Sequence, residues 1–286
     1  MATLEKLQSL APKFVTADVI EEAFTNFLGN WKLALKLALP WWIIQWLFAL
    51  IVGIGIALYD ESLLDSPRLD TIVGTLTIPV NLLSASTIAV FWHRKIILSE
   101  DVYGFWTMRA DKPMWRYLFG LILFIFGALV LFGGAVSVIN FLGLRGVSDL
   151  YGLYLPIILM MFAIAYFALR LSPSIVSIAV DEKPIGIRRT WAATRGVGLK
   201  IIMAYIGVAI VSALLTIPFV LIRIVFNHFV GSEFIWLGDA LFEIARNWIW
   251  GFATISLLTV IYKVVFISRA LEVPLDSNAV EEPTML

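Results

Sequence analysis

The run "WHRK" at 92–95 holds the residues best equipped for chemistry. An imidazole takes up and releases protons near neutral pH and is a common metal ligand, so His93 could be a general base or a metal site. Glu100 and Asp101, shortly downstream, could join it. The other histidine, His228, lies across the membrane from it by the span assignment below, and no HExxH pairing occurs, so the two cannot share a metal. The competing reading places His93, Arg94 and Lys95 at a membrane surface, against lipid phosphates. A second basic cluster, Arg188, Arg189, Arg195 and Lys200, could hold a phosphate-bearing ligand, but no GxxxxGK[ST] or GxGxxG loop supports a nucleotide. Near an anionic lipid surface each basic residue contributes about 1 kcal/mol. Lipid headgroups are therefore the expected partners of Arg94, Lys95, Arg109, Arg116, Arg188, Arg189, Trp191, Arg195 and Lys200. A third feature is "NLLSAST" at 81–87, where Asn81, Ser84 and Thr87 could line a polar path. Small polar residues and glycines, here also Gly53, Gly55, Gly133 and Gly134, more often join membrane helices by hydrogen bonds and close approach. No catalytic, cofactor-binding or metal-binding set emerges, and without cysteine no thiolate site can form.

Composition says what must position these residues. Of 286 residues, 60% are hydrophobic and 15% charged. Soluble domains average about 45–50% and about 25%. Several stretches of roughly 20 residues carry almost no charge, enough to cross a hydrocarbon core of about 30 Å as helix. Six such spans are expected, at 38–58, 71–95, 115–142, 150–171, 199–226 and 247–268. None alternates polar and apolar residues as a barrel strand would. Six spans place both termini on one side. That side carries four Lys and Arg before the first span, five between spans two and three, six between four and five, and two near the end. The other side holds only Arg68, Arg145, Arg223 and Arg246. Basic residues near span ends stay cytoplasmic, so both termini are expected there. Trp41, Trp42, Trp46, Trp92, Trp106, Trp115, Trp236, Trp248 and Trp250 fall near span ends, where indole suits the headgroup layer. The zero net charge argues against a nucleic-acid partner.

An internal repeat is also suggested. "EAFTNFLGNWKL" (22–33) sits beside "RTWAATRGVGLK" (189–200), pairing Phe24 with Trp191 and Gly29 with Gly196, and "GFWTMRADKPMWR" (104–116) offers a third copy. The expected architecture is all-α and polytopic: three two-span hairpins, each preceded by a cytoplasmic interfacial helix. The units fall at about 17–98, 99–172 and 181–270, between a flexible N-terminus (1–16) and a disordered cytoplasmic tail (271–286). In the first interfacial helix, Ile20, Phe24, Phe27, Leu28 and Trp31 follow the spacing of one helical face. Asp18 and Glu21 resemble a capping box. In the third, Pro184 suits a first helical turn and Ile187 shares a face with Trp191. Such helices are expected to lie in the interface plane, apolar face down. Within the spans, Arg170, Arg223 and Lys263 sit near ends and can snorkel.

"ALRLSPSIVSIAVDEKPIGIRRTWAATRG" (168–196) resembles a bacterial inner-membrane family similar to the membrane domain fused to some glycerophosphodiester phosphodiesterases. Arg170, Pro173, Glu182, Gly186, Arg188, Arg189, Trp191 and Gly196 carry the resemblance, and "FWHRKIILSED" (91–101) is similar to related members. It implies a multi-pass module of the bacterial inner membrane with no catalytic residue to carry over, since the carboxylate-rich phosphodiesterase barrel is absent from these residues. Three functions are open. The first is a non-enzymatic scaffold, accessory subunit or envelope factor that contacts anionic lipid and a second membrane protein. The second is a transporter or lipid-handling protein with a polar path near 81–87. The third, least favoured, is a membrane enzyme using His93 with Glu100 or Asp101.

Overall fold

The computed structural model describes residues 14–59, 67–101, 110–141, 150–180, 184–229 and 235–267. Regular structure among them is helical throughout. The helices are α1 (Thr16–Gly29), α2 (Trp31–Tyr59), α3 (Pro67–Leu98), α4 (Lys112–Phe141), α5 (Leu150–Val180), α6 (Ile187–Ala193), α7 (Gly198–Phe229) and α8 (Ile235–Tyr262), followed by a π-helical stretch, Lys263–Ile267. Six contain stretches long and apolar enough to cross a membrane: Trp31–Val52, Gly74–Leu98, Lys112–Gly134, Met160–Val180, Gly198–Phe229 and Phe242–Ile267. Leu50, Ile51, Leu123, Phe126, Leu214 and Ile222 are more than half exposed, as side chains facing hydrocarbon would be. The chain is a multi-pass membrane protein, and α2/α3, α4/α5 and α7/α8 pack as the three expected hairpins.

Three spans extend furthest beyond the expected boundaries. The first span starts at Trp31 because Lys32 and Lys36 lie within α2, their long stems allowing the charges to reach water. The fourth runs to Val180, through Pro173. A proline cannot donate to the carbonyl four residues back, and the Ser172 hydroxyl donates to that carbonyl, Leu169 O, at 2.7 Å. The last starts early because α8 begins at Ile235, with Glu243 and Arg246 paired on its surface. Phe14 is buried and Thr16 opens α1, so the described end of the segment expected to be flexible is packed into the fold. The remainder of that segment, Trp106, Arg109 and the rest of the middle interfacial stretch up to 109, and the C-terminal tail lie outside the described residues, while Lys112–Arg116 of that stretch open α4.

Helix α1 departs furthest from expectation. Its N-cap is Val15 without a side-chain bond, and Asp18 stands in the first turn, so no capping box forms. Its buried face is Val19, Ala23, Phe24 and Phe27, while Leu28 and Trp31 are about half exposed. That face meets α7 and α8 rather than a lipid surface. The Phe27 ring lies 5.2 Å from Trp248, edge on, and stacks 6.1 Å from Phe252, which contacts Trp92 at 5.2 Å. On α7, Gly207 admits Ile20: a Cβ there would collide with the isoleucine's Cδ1. Lys263 Nζ pairs with Glu22 Oε1 at 2.6 Å across the junction. Trp92 and Trp41 are buried and the Trp248 indole nitrogen is shielded, so none of the three presents its N–H to headgroups. Similarly, a Cβ at Gly55, Gly133 or Gly134 would meet nothing, so close helix approach is not their role.

Helix α6 is shorter and more exposed. Its N-cap is Gly186, leaving Pro184 outside the helix. Gly196 adopts φ 81° after it, whereas Gly29, its partner in the repeat alignment, has no positive φ. Burial ranks the spans: 56% of the α8 span is buried in the protein, against 17% for α7 and 11% for α4. Helix α8 is thus the axis on which α1, α3, α5 and α7 pack.

Candidate functional site

Gln45 lies seven residues inside the Val52 end of its apolar span on α2, Asn81 seven inside the Gly74 end on α3, and Asn247 five inside the Phe242 end on α8, about two helical turns or less from the same side. With Ser84 they line one cleft of about 330 Å³ between the three helices. Ala38, Ala85 and Gly251 leave the room, and Trp41, Trp42, Ile88, Phe252 and Ile255 complete an apolar wall. Gln45 Nε2 donates to Ser84 Oγ at 3.0 Å, and Ser84 Oγ donates to Asn81 O at 2.9 Å. The Asn81 and Asn247 side chains are exposed there. The indole N–H groups of Trp41 and Trp248 are buried in the wall without an acceptor. Among the described residues, none that lines the cleft is ionisable. Burying an amide in an apolar medium without a hydrogen bond costs roughly 2–7 kcal/mol. Amides held open at this depth therefore call for water or a polar ligand group. Thr87, grouped with Asn81 and Ser84 on sequence, is buried and does not line the cleft.

The basic residues divide into two groups. Arg94 Nε meets Glu100 Oε2 at 2.5 Å, and its Nη1 donates to Ala179 O at 3.1 Å, tying α3 to α5. Lys95 Nζ pairs with Asp101 Oδ1 at 2.7 Å. Ser99, with φ 56°, turns the chain after α3 so that these acids fold back on the bases; the Glu100 amide donates to Arg94 O across the turn. Arg94 and Lys95 thus have protein partners and are not simply open to headgroups. Arg116, Arg188, Arg189, Arg195 and Lys200 are exposed.

Trp191 is not a free interfacial side chain either. It stacks on Phe167 at 5.3 Å, and the Arg170 guanidinium lies 3.5 Å from its ring centroid. Arg170 is 6% exposed and does not snorkel. Its Nη2 donates to Trp191 O at 2.8 Å, Nε to Thr194 Oγ1 at 3.2 Å and Nη1 to Tyr166 Oη at 3.2 Å. The cation thus sits at the C-terminal end of α6, where unpaired carbonyls carry partial negative charge.

His93 is fully buried, with Nδ1 2.8 Å from Thr259 Oγ1. The Thr259 hydroxyl donates to Ile255 O, so it accepts from His93, and Nε2 has no partner among the described residues. Neither ring nitrogen meets Glu100 or Asp101, which engage Arg94 and Lys95, so the least favoured grouping of His93 with these acids is not brought together. Both the phosphate-facing and the catalytic reading of His93 give way to a core link between α3 and α8.

No family model, curated protein or solved structure matches the chain, so the resemblance at 168–196 and 91–101 rests on those residues alone. Gln45 and Asn247 are the polar cleft residues that the path read at 81–87 did not include. Asp239, Glu243 and Arg246 lower the local hydropathy and made 247 look like a span end. The signal that could have found it is Gln45, an isolated amide deep in an apolar run that needs a polar partner on a neighbouring helix.

Proposed function

We propose that this protein is a non-enzymatic lipid-handling or transport protein that takes an uncharged, polar-headed amphiphile into the α2/α3/α8 cleft. One observation carries the reading: Gln45, Asn81, Ser84 and Asn247, from three helices, converge on one open, charge-free volume between membrane-spanning segments. Carboxamides donate and accept, so the matching headgroup carries both hydroxyl or amide donors and carbonyl or ester acceptors. The apolar wall suits the start of a hydrocarbon chain. A pure scaffold gives no reason to keep exposed amides at this depth. The basic loop residues support a topology with both termini cytoplasmic. The resemblance at 168–196 supports a bacterial inner membrane as the compartment.

The test is native mass spectrometry of protein extracted from its own membrane. Wild type is expected to retain a neutral amphiphile, and the Gln45→Leu/Asn81→Leu double variant to lose it while keeping its melting temperature. Equal retention by both proteins, or none by either, would overturn the reading and return weight to the scaffold. Reporter fusions at each terminus check the orientation.

A further inference from the structure

We infer a second lipid site, separate from the cleft: an anionic phospholipid with one acyl chain in the groove between α4 and α5 and its phosphate on Arg188 and Arg189 of α6. The groove encloses about 190 Å³. Its walls are wholly apolar, with Phe124, Gly127 and Ala128 on α4 and Ala168 and Leu171 on α5, and Ile187 completes the lining. Small residues between membrane helices usually let backbones touch. Here they do not, because a Cβ at Gly127 would meet no atom within 4 Å. The glycine keeps space open where two helices could have closed.

The charged half of the site stands beside the groove's last lining residue: neither arginine lines the groove itself, and both lie on the first turn of α6, whose Ile187 closes it, so their long side chains reach toward its mouth. Ile187, the first residue of α6, lines the groove and is 67% exposed, and Arg188 and Arg189 follow it directly. Both arginines are exposed, and neither forms an ion pair among the described residues. Arginine's planar fork matches phosphate oxygens in bidentate geometry. An anion is the complementary ligand, and the acyl groove specifies a bilayer phospholipid over a free phosphate ion.

The two halves are held in fixed register. Phe167 lines the groove and also stacks under Trp191 of α6. Arg170 bonds the far end of α6, and the Ile185 amide donates to Ser177 Oγ of α5 at 2.9 Å. A bound lipid would thus bridge α4, α5 and α6. Attraction of loose basic residues to a charged surface requires no groove, and a chain in an annular groove requires no arginine. The inferred site requires both.

The experiment uses the full chain in detergent. Native mass spectrometry follows titration with a phosphatidylglycerol and a phosphatidylcholine of the same acyl chains. Wild type is expected to bind the anionic lipid at least about tenfold more tightly. Arg188→Gln/Arg189→Gln should abolish that preference. Gly127→Leu, which adds its side chain into open space, should weaken the anionic lipid by a similar factor with all basic residues intact. Ile187→Ser, an exposed position, gives a second groove variant if Gly127→Leu fails to fold. Gln45→Leu/Asn81→Leu should leave this binding unchanged. Loss only in the arginine variant would mean surface electrostatics, and loss only in the groove variants would mean an annular lipid. Either result, or no preference in wild type, overturns the site.

Discussion

Arg170 is a buried cation held by a carbonyl, two hydroxyls and an indole face rather than by a carboxylate. Each tie depends on the planar guanidinium, with its forked donors and flat face. Lysine keeps the charge and loses the geometry, leaving Trp191 O and Thr194 Oγ1 to compete for one ammonium. Losing hydrogen bonds to a charged group costs about 1.5–3 kcal/mol each. Arg170→Lys is therefore expected to lower stability by about 2–4 kcal/mol, and the 184–197 segment should become sensitive to protease before the spans do. A variant as resistant as wild type would show that α6 is seated by other means. A smaller constraint acts at Gly198, where a Cβ would fall 2.8 Å from Arg170 Cδ. Sequence showed the charge but not its burial. Position near a span end is also where arginines snorkel, and only the returning chain from Pro184 to Val197 covers this one.

At the scale of elements, α1 separates what periodicity can and cannot tell. The recurrence of Phe24 and Phe27 specified a helix with an apolar face, and that helix exists. Periodicity does not say what covers such a face, and an amphipathic helix beside a membrane suits lipid as well as protein. Protein covers it here: Phe27 is 1% exposed among Trp248 and Phe252. Truncating a buried phenylalanine costs about 3–5 kcal/mol. Phe27→Ala should lower the melting temperature of the detergent-purified protein markedly, with no lipid present. A helix seated on lipid would show no such loss in detergent. The spans themselves were legible because charge-free length is a composition signal. Their ends were not, because Lys36 within α2 and the Glu243–Arg246 pair on α8 are tolerated once stems can bend and charges can pair. Pro173 likewise looked like a boundary until the Ser172 hydroxyl took over the orphaned carbonyl.

The whole molecule is organised around α8, which supplies Thr259 to His93, Trp248 and Phe252 to α1, and Asn247 to the cleft. A cleft assembled from Gln45, Asn81 and Asn247 is invisible to any local pattern, since the residues are separated by much of the chain. "NLLSAST" contributed two of the four polar lining residues because neighbours one turn apart share a face, and Thr87 fell on the inner side. The cleft has a consequence that exposure alone does not distinguish. Asn81 on α3 and Leu214 on α7 are both exposed, but Asn81 faces a polar recess and Leu214 an apolar surface. Thiols react as thiolates, and apolar surroundings keep them protonated. The chain has no cysteine, so single replacements give an unobstructed readout. In sealed native membranes, Asn81→Cys and Asn247→Cys are expected to react with a small hydrophilic thiosulfonate at least about tenfold faster than Leu214→Cys. Adding the amphiphile recovered from wild type should slow the first two and leave the third unchanged. Equal, slow labelling at all three positions would mean that hydrocarbon fills the recess, and the cleft could not serve a polar headgroup.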